Sequence, residues 1–148
     1  MSAEEPAPAR VSPSFVLELV AGASVIDELL HVSNVAYVGW IQDAAKAHSA
    51  AVGWDGPAYF ALGAVFVVRR HEIEYEAPVR EGDAVKITTW LERWSAVTSE
   101  RHTRIEKGDG TVAVRAKTLW AMIDFATGRP RRVPREIREA FLRSAAGG

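Results

Sequence analysis

Between residues 64 and 125 the hydrophobic period is two, four times in succession, and tight turns separate the segments. The segments are "AVFVVRRHEIEY" (64–75), "AVKITTWLERW" (84–94), "TSERHTRIEK" (98–107) and "VAVRAKTLWAMIDF" (112–125). Alternation of this kind marks strands with one face inward. In the first segment it puts Val65, Val67, Arg69, His71, Ile73 and Tyr75 on one face, with Phe66, Val68, Arg70, Glu72 and Glu74 on the other. Runs of consecutive hairpins imply antiparallel pairing, hence an α+β chain rather than a parallel nucleotide-binding sheet. "KGDGT" (107–111) reads as a hairpin turn rather than a phosphate loop.

Ahead of the strands stands one long helical pattern. It starts near Ser33 or Asn34, either of which suits an N-cap, and runs to Val52 before Gly53. Val38, Ile41, Ala45 and Val52 form one stripe, and Tyr37, Trp40, Ala44, Ala47 and Ala51 another, so the pattern predicts a helix nearly surrounded by neighbours. "FVLELV" (15–20) reads as a first strand, and "GWDGP" (53–57) as a break. Pro134 with Ile137 and Phe141 predicts a short C-terminal helix. One helix and five strands are best satisfied by a sheet curled around the helix. The exposed sheet edge then predicts a homodimer or homotetramer.

Composition removes many chemistries. The 148 residues suffice for one core, expected over 14–142, between a disordered lead-in (1–13) and a flexible tail (143–148). A net charge of −1 offers no field for nucleic acid or an anionic membrane. No apolar run reaches the roughly 18–20 residues that span a bilayer, and the start, rich in proline and acid, is unlike a secretory signal, so the expected location is cytoplasmic. Without cysteine there are no disulfides, thiolate metal sites or thiol nucleophiles. The four histidines lack metal-ligand spacing, and "HEIEY" (71–75) has Tyr75 where H-E-x-x-H needs its second histidine. "GASVI" (22–26) lacks the closing glycine of G-x-S-x-G. No metal or redox cofactor is expected.

What remains is the crowding of Asp27, His31 and Asn34 just before the helix. The first-turn N–H groups of a helix are unpaired and lie at the positive end of its dipole, a place where developing negative charge is stabilised. Asp27 is placed to attack a carbonyl or activate water, Asn34 to cap the helix or orient the reacting groups, and His31 to hold Asp27 by a hydrogen bond or to meet the substrate. Tyr37 and Trp40 suit the core or the lining of a substrate pocket. Glu74 is a second carboxylate within reach of a neighbouring site. Arg69, Arg70, Arg101, Arg104, Arg129, Arg131 and Arg132 are candidates for phosphate contacts, or simply a solvated face.

The segment "DELLHVSNVAY" (27–37) resembles the D-x-x-x-H-V-x-N-x-x-Y pattern of 4-hydroxybenzoyl-CoA thioesterase-like hot-dog proteins, and "HVSNVAYVGW" (31–40) is similar to acyl-ACP thioesterases. The resemblance extends through "VVRRHEIEYEAPVREGDAV" (67–85) to "WAMIDFATGRPRRVP" (120–134). It implies a hot-dog fold and hydrolysis of an acyl-CoA or acyl-ACP thioester, with Asp27 catalytic and His31 and Asn34 beside it. The chain departs from many relatives by Leu29 and Leu30, where they carry D-x-N-x-H or a glycine before the histidine. It also has Ser33 for the first asparagine of H-V-N-N, and Gln42 at a position often acidic. Two other uses of the fold stay open: an acyl-thioester-binding protein without turnover, and a dehydratase or hydratase, whose D-x-N-P-x-H spacing is absent.

Overall fold

The computed structural model describes residues 11–143. Its elements run β1 (Phe15–Val20), α1 (Asn34–Ala51), α2 (Gly56–Leu62), β2 (Ala64–Tyr75), β3 (Ala84–Trp94), β4 (Thr98–Lys107), β5 (Val112–Asp124) and α3 (Arg135–Arg143). The strands make one antiparallel sheet in the order β1-β3-β4-β5-β2, leaving β1 and β2 at its edges. The sheet wraps α1, which is the α+β hot-dog arrangement. Of the expected lead-in and tail, residues 1–10 and 144–148 lie outside the described residues. Ser12 is docked on β3, its N–H donating to the Leu91 carbonyl at 2.8 Å while its hydroxyl accepts from the Leu91 N–H at 2.8 Å.

Alternation does its expected work in β3, where Val85, Ile87, Thr89 and Leu91 are buried. The register carries the same face across β4 through Ile105, Thr103, Arg101 and Ser99, and across β5 through Val114, Ala116, Thr118 and Trp120. Tyr37, Trp40, Ile41 and Ala44 of α1 pack on Val85, Ile87, Ile105 and Val114 in one core cluster. A second gathers Tyr59, Leu91, Met122, Ile137 and Phe141 at the other end. Ile137 and Phe141, four residues apart, give α3 a single apolar stripe. Truncating a buried phenylalanine such as Phe141 to alanine typically costs about 3–5 kcal/mol.

Three expectations are corrected. The helix α1 is not nearly surrounded: its buried residues, Tyr37, Trp40, Ile41, Ala44, Ala45 and His48, form one stripe, while Ala50 and Ala51 are exposed. Those alanines serve helix propensity rather than packing. In β2 the two faces exchange. A bulge between Val68 and Arg70 shifts the register, so Phe66 and Val68 share the inner face with His71, Ile73 and Tyr75. "GWDGP" does not merely break the chain but starts α2: Asp55 caps it by accepting from the Ala58 N–H at 3.0 Å, and Pro57 sits in its first turn. The 107–111 turn is as expected, with the Lys107 N–H donating to Thr111 and the Gly110 N–H to Lys107, both at 2.9 Å.

Candidate active site

Residues 26–32 form a small closed loop at the mouth of α1. An antiparallel bridge joins Ile26 to Val32, the Asp27 N–H donates to the His31 carbonyl at 2.8 Å, and the Leu30 N–H donates back to the Asp27 carbonyl at 2.9 Å. Leu30 takes φ 66°, in the left-handed region that favours glycine. Two further bonds anchor the loop: the Val32 N–H donates to Val79 at 2.8 Å and the Ser33 N–H to Val25 at 2.9 Å. The second ties the helix cap to the residue two before Asp27, so the carboxylate and the helix mouth are built as one unit.

Asp27 is half-buried, and its Oδ1 accepts from the Leu29 N–H at 2.9 Å and, at 3.4 Å, from that of His31. Its Oδ2 has no hydrogen bond among the described residues. The turn therefore fixes one oxygen and leaves the other without a partner among the described residues. His31 supports Asp27 through its backbone N–H, and its ring makes no hydrogen bond among the described residues. The cap is Ser33, whose Oγ accepts from the Ala36 N–H at 3.1 Å. Asn34 is the first residue of the helix and exposed, so its side chain is free of capping. The N–H groups of Asn34 and Val35 find no acceptor among the described residues, as first-turn donors do when nothing caps them.

Tyr37 stands one turn in. Its hydroxyl accepts from the Val79 N–H at 3.3 Å, and its ring meets Trp40 edge-on and Tyr75 at a tilt, both with centroids 5.6 Å apart. Burial pushes the Tyr37 hydroxyl above its ordinary range, and the neighbouring Tyr75, Asp27 and Asp83 push it the same way against the Val79 bond, so it keeps its proton at neutral pH. Trp40 is buried in the core cluster beneath it. Arg70 and Glu74 face away from this site within the chain: both are exposed on the outer side of β2, where Arg70 meets Glu72 at 3.6 Å.

The sequence reading missed a second polar constellation. Arg101, grouped above with candidate surface arginines, points inward from β4 and is 4% exposed. It contacts His48, in the buried stripe of α1, and a cavity of about 500 Å³ beside it is lined from the C-terminal half of α1 and from α2. Strand alternation placed Arg101 with Ser99, Thr103 and Ile105, which was the available signal. No cluster of three or more potential metal ligands occurs among the described residues, and none of their helices is long and apolar enough to cross a membrane.

The profile of the thioesterase-like superfamily matches residues 22–141. A chloroplastic acyl-[acyl-carrier-protein] hydrolase of Cuphea viscosissima is 29% identical over 79 residues, 53% of this chain and 19% of that protein. The match thus spans about a fifth of that relative's length. Among solved structures, a DHNA-CoA thioesterase from Staphylococcus aureus superposes with a TM-score of 0.81 at 21% identity, covering 90% of this chain and 91% of its own. A 1,4-dihydroxy-2-naphthoyl-CoA thioesterase from Synechocystis gives 0.80 at 15% identity, covering 87% and 96%. A hypothetical protein of Staphylococcus aureus, solved in complex with CoA, gives 0.82 at 16% identity, covering 90% and 85%. At these identities the structural likeness establishes the shared fold.

Proposed function

The chain belongs to the thioesterase-like superfamily, and on that footing we propose that it hydrolyses an acyl-CoA or acyl-ACP thioester to a carboxylic acid and a thiol, with Asp27 as the catalytic carboxylate. One observation carries the assignment of Asp27: backbone donors hold its Oδ1 while Oδ2 stays open, at the mouth of a helix whose first N–H groups are unpaired. Removal of a proton from water and direct attack on the thioester carbon both begin at such an oxygen. In the water route Asp27 takes one proton as the hydroxyl forms its bond to carbon, and the carbonyl becomes an oxyanion. The first-turn N–H groups and the helix dipole stabilise that charge without reorganising. Collapse breaks the C–S bond, and the proton held by Asp27 passes to the departing thiolate.

The other residues take supporting parts. The Asn34 amide, free of capping, donates to the water or the thioester oxygen, and His31 borders the same mouth. Tyr37 and Trp40 shape the acyl entrance. Arg70, exposed on the β2 edge, meets phosphate of the carrier where that edge pairs with a second copy, and Glu74 stands beside it on the same outer face. No metal or redox cofactor enters this scheme. A panel of aliphatic and aromatic acyl-CoA and acyl-ACP substrates, read by thiol release, tests the activity. The chain has no cysteine, so it adds no thiol background. Release from none of the panel would refute the assignment.

A further inference from the structure

The geometry points to a second ligand site: the cavity beside the C-terminal half of α1 binds a free carboxylic acid with an apolar body, its carboxylate received by Arg101. The site is separate from the helix mouth. Ser49, on the cavity wall, lies fifteen residues along α1 from Asn34, about 22 Å at the helical rise. The inference stands on the cavity alone and does not require thioester hydrolysis.

Arg101 is the reason. Arginine is almost never fully buried without a partner for its charge. Here Nη1 donates to His48 Nδ1 and to Thr89 Oγ1, each at 2.9 Å, and the guanidinium stands 5.8 Å from the Phe141 ring centroid. All three partners are neutral. His48 is held near pKa 3, first by burial and then by the Arg101 charge, so it accepts from Arg101 as a neutral imidazole. Arg101 itself is lowered only to about 10, by burial, and stays charged at neutral pH. No carboxylate lies within ion-pair distance of it among the described residues, and the N–H groups on Nε and Nη2 find no acceptor there. A buried cation in this state is stabilised by an anion that arrives with the ligand.

The cavity defines the rest of that ligand. At about 500 Å³ it falls within the roughly 300–1,000 Å³ of small-molecule sites. Its walls are apolar, from Ala45, Val65, Phe66, Leu91 and Trp120, so the body of the ligand is hydrocarbon or aromatic. The polar groups are few. Ser49 donates to the Trp54 carbonyl at 2.6 Å and so accepts from the Tyr59 hydroxyl at 2.9 Å, which commits both hydroxyl protons to the protein. Lys46 and Asp55 also line the cavity but are exposed, and Asp55 is committed to capping α2. One buried guanidinium with neutral neighbours matches a single carboxylate, which its planar fork can bind through two parallel hydrogen bonds.

Calorimetric titration of the full chain with decanoate and with decanol tests this. Decanoate should bind once per chain and at least tenfold more tightly than decanol. Arg101→Met keeps the bulk and removes the charge; it should abolish that preference while decanol still binds. Ala50→Trp, at an exposed position on the cavity rim, should weaken both ligands tenfold or more. Asp27→Asn should leave decanoate binding unchanged, which separates this site from a product bound at the helix mouth. The proposal is overturned if wild type binds the two ligands equally, if the preference survives Arg101→Met, or if Ala50→Trp leaves decanoate binding intact. It is also overturned if Asp27→Asn abolishes decanoate binding. Should Arg101→Met not fold, the wild-type pair and Ala50→Trp decide.

Discussion

Leu30 holds a backbone conformation at φ 66° that costs an L side chain roughly 1–2 kcal/mol, and 71% exposure of the residue returns little of that by burial. Leu30→Gly removes the strain, and the extra freedom of the unfolded chain offsets about 0.5–1 kcal/mol of the gain. The variant is therefore expected to melt at or slightly above wild type; a loss of more than about 1 kcal/mol in denaturant titration contradicts this. His48 supplies a pH effect of defined sign. Its folded pKa lies near 3, below the ordinary 6.5, so below pH 6.5 the unfolded chain binds a proton that the folded chain refuses. The contribution is complete above pH 6.5 and is lost as pH falls toward 3, by at most about 1.4 kcal/mol per unit. His48→Asn retains an acceptor for Arg101 but cannot titrate, so its stability should fall less steeply than wild type between pH 6.5 and 4. Parallel curves would refute the assignment. Neither His48 nor Arg101 was legible as a core residue in the sequence. Alternation says which residues share a face, but a face composed of Ser99, Arg101, Thr103 and Ile105 does not declare itself buried.

Among the elements, α1 and the four later strands were readable because their signals are local: a 3.6 period ending at Gly53, and period two between turns. The β2 bulge was not, since one inserted residue exchanges the faces without any mark in composition. The short helix α2 was hidden because Gly56 and Pro57 signal a break as readily as a first turn. The start of α1 was left between two residues, and the structure chooses Ser33 as cap. This divides two roles that the sequence reading joined in Asn34. Ser33→Ala should cost about 1 kcal/mol, the usual loss for a cap. Asn34→Ala, at an exposed first helical position, should leave the melting temperature within a degree or two but lower kcat/KM about tenfold, the scale of a lost donor to developing charge. Thermal melting and steady-state kinetics on the same preparations check both. Unchanged kinetics in Asn34→Ala would leave the backbone N–H groups as the sole donors of the proposed site.

At the scale of the molecule, β2 is a twelve-residue edge strand, long enough to invite pairing with another chain. A two-fold pairing along it would extend the sheet across two copies and set Arg70 and Glu74 of both beside the seam, on the face away from α1. Sedimentation at micromolar concentration should show a dimer or larger assembly, and an active monomer would contradict that expectation. The spacing from Asp27 to Tyr37 made the helix mouth legible, because it lies within one short stretch of chain. The distal cavity was not, because α1, α2, β2, β3, β4, β5 and α3 meet there only after folding. The proposed activity of the whole molecule rests on the carboxylate of Asp27. Its most direct test is thiol release from the best acyl thioester by wild type and by Asp27→Asn, which preserves size and removes the charge. Wild type should turn over, and kcat should be lower by roughly 10²-fold or more in the variant, with melting unchanged. Turnover by Asp27→Asn within a few-fold of wild type would contradict it.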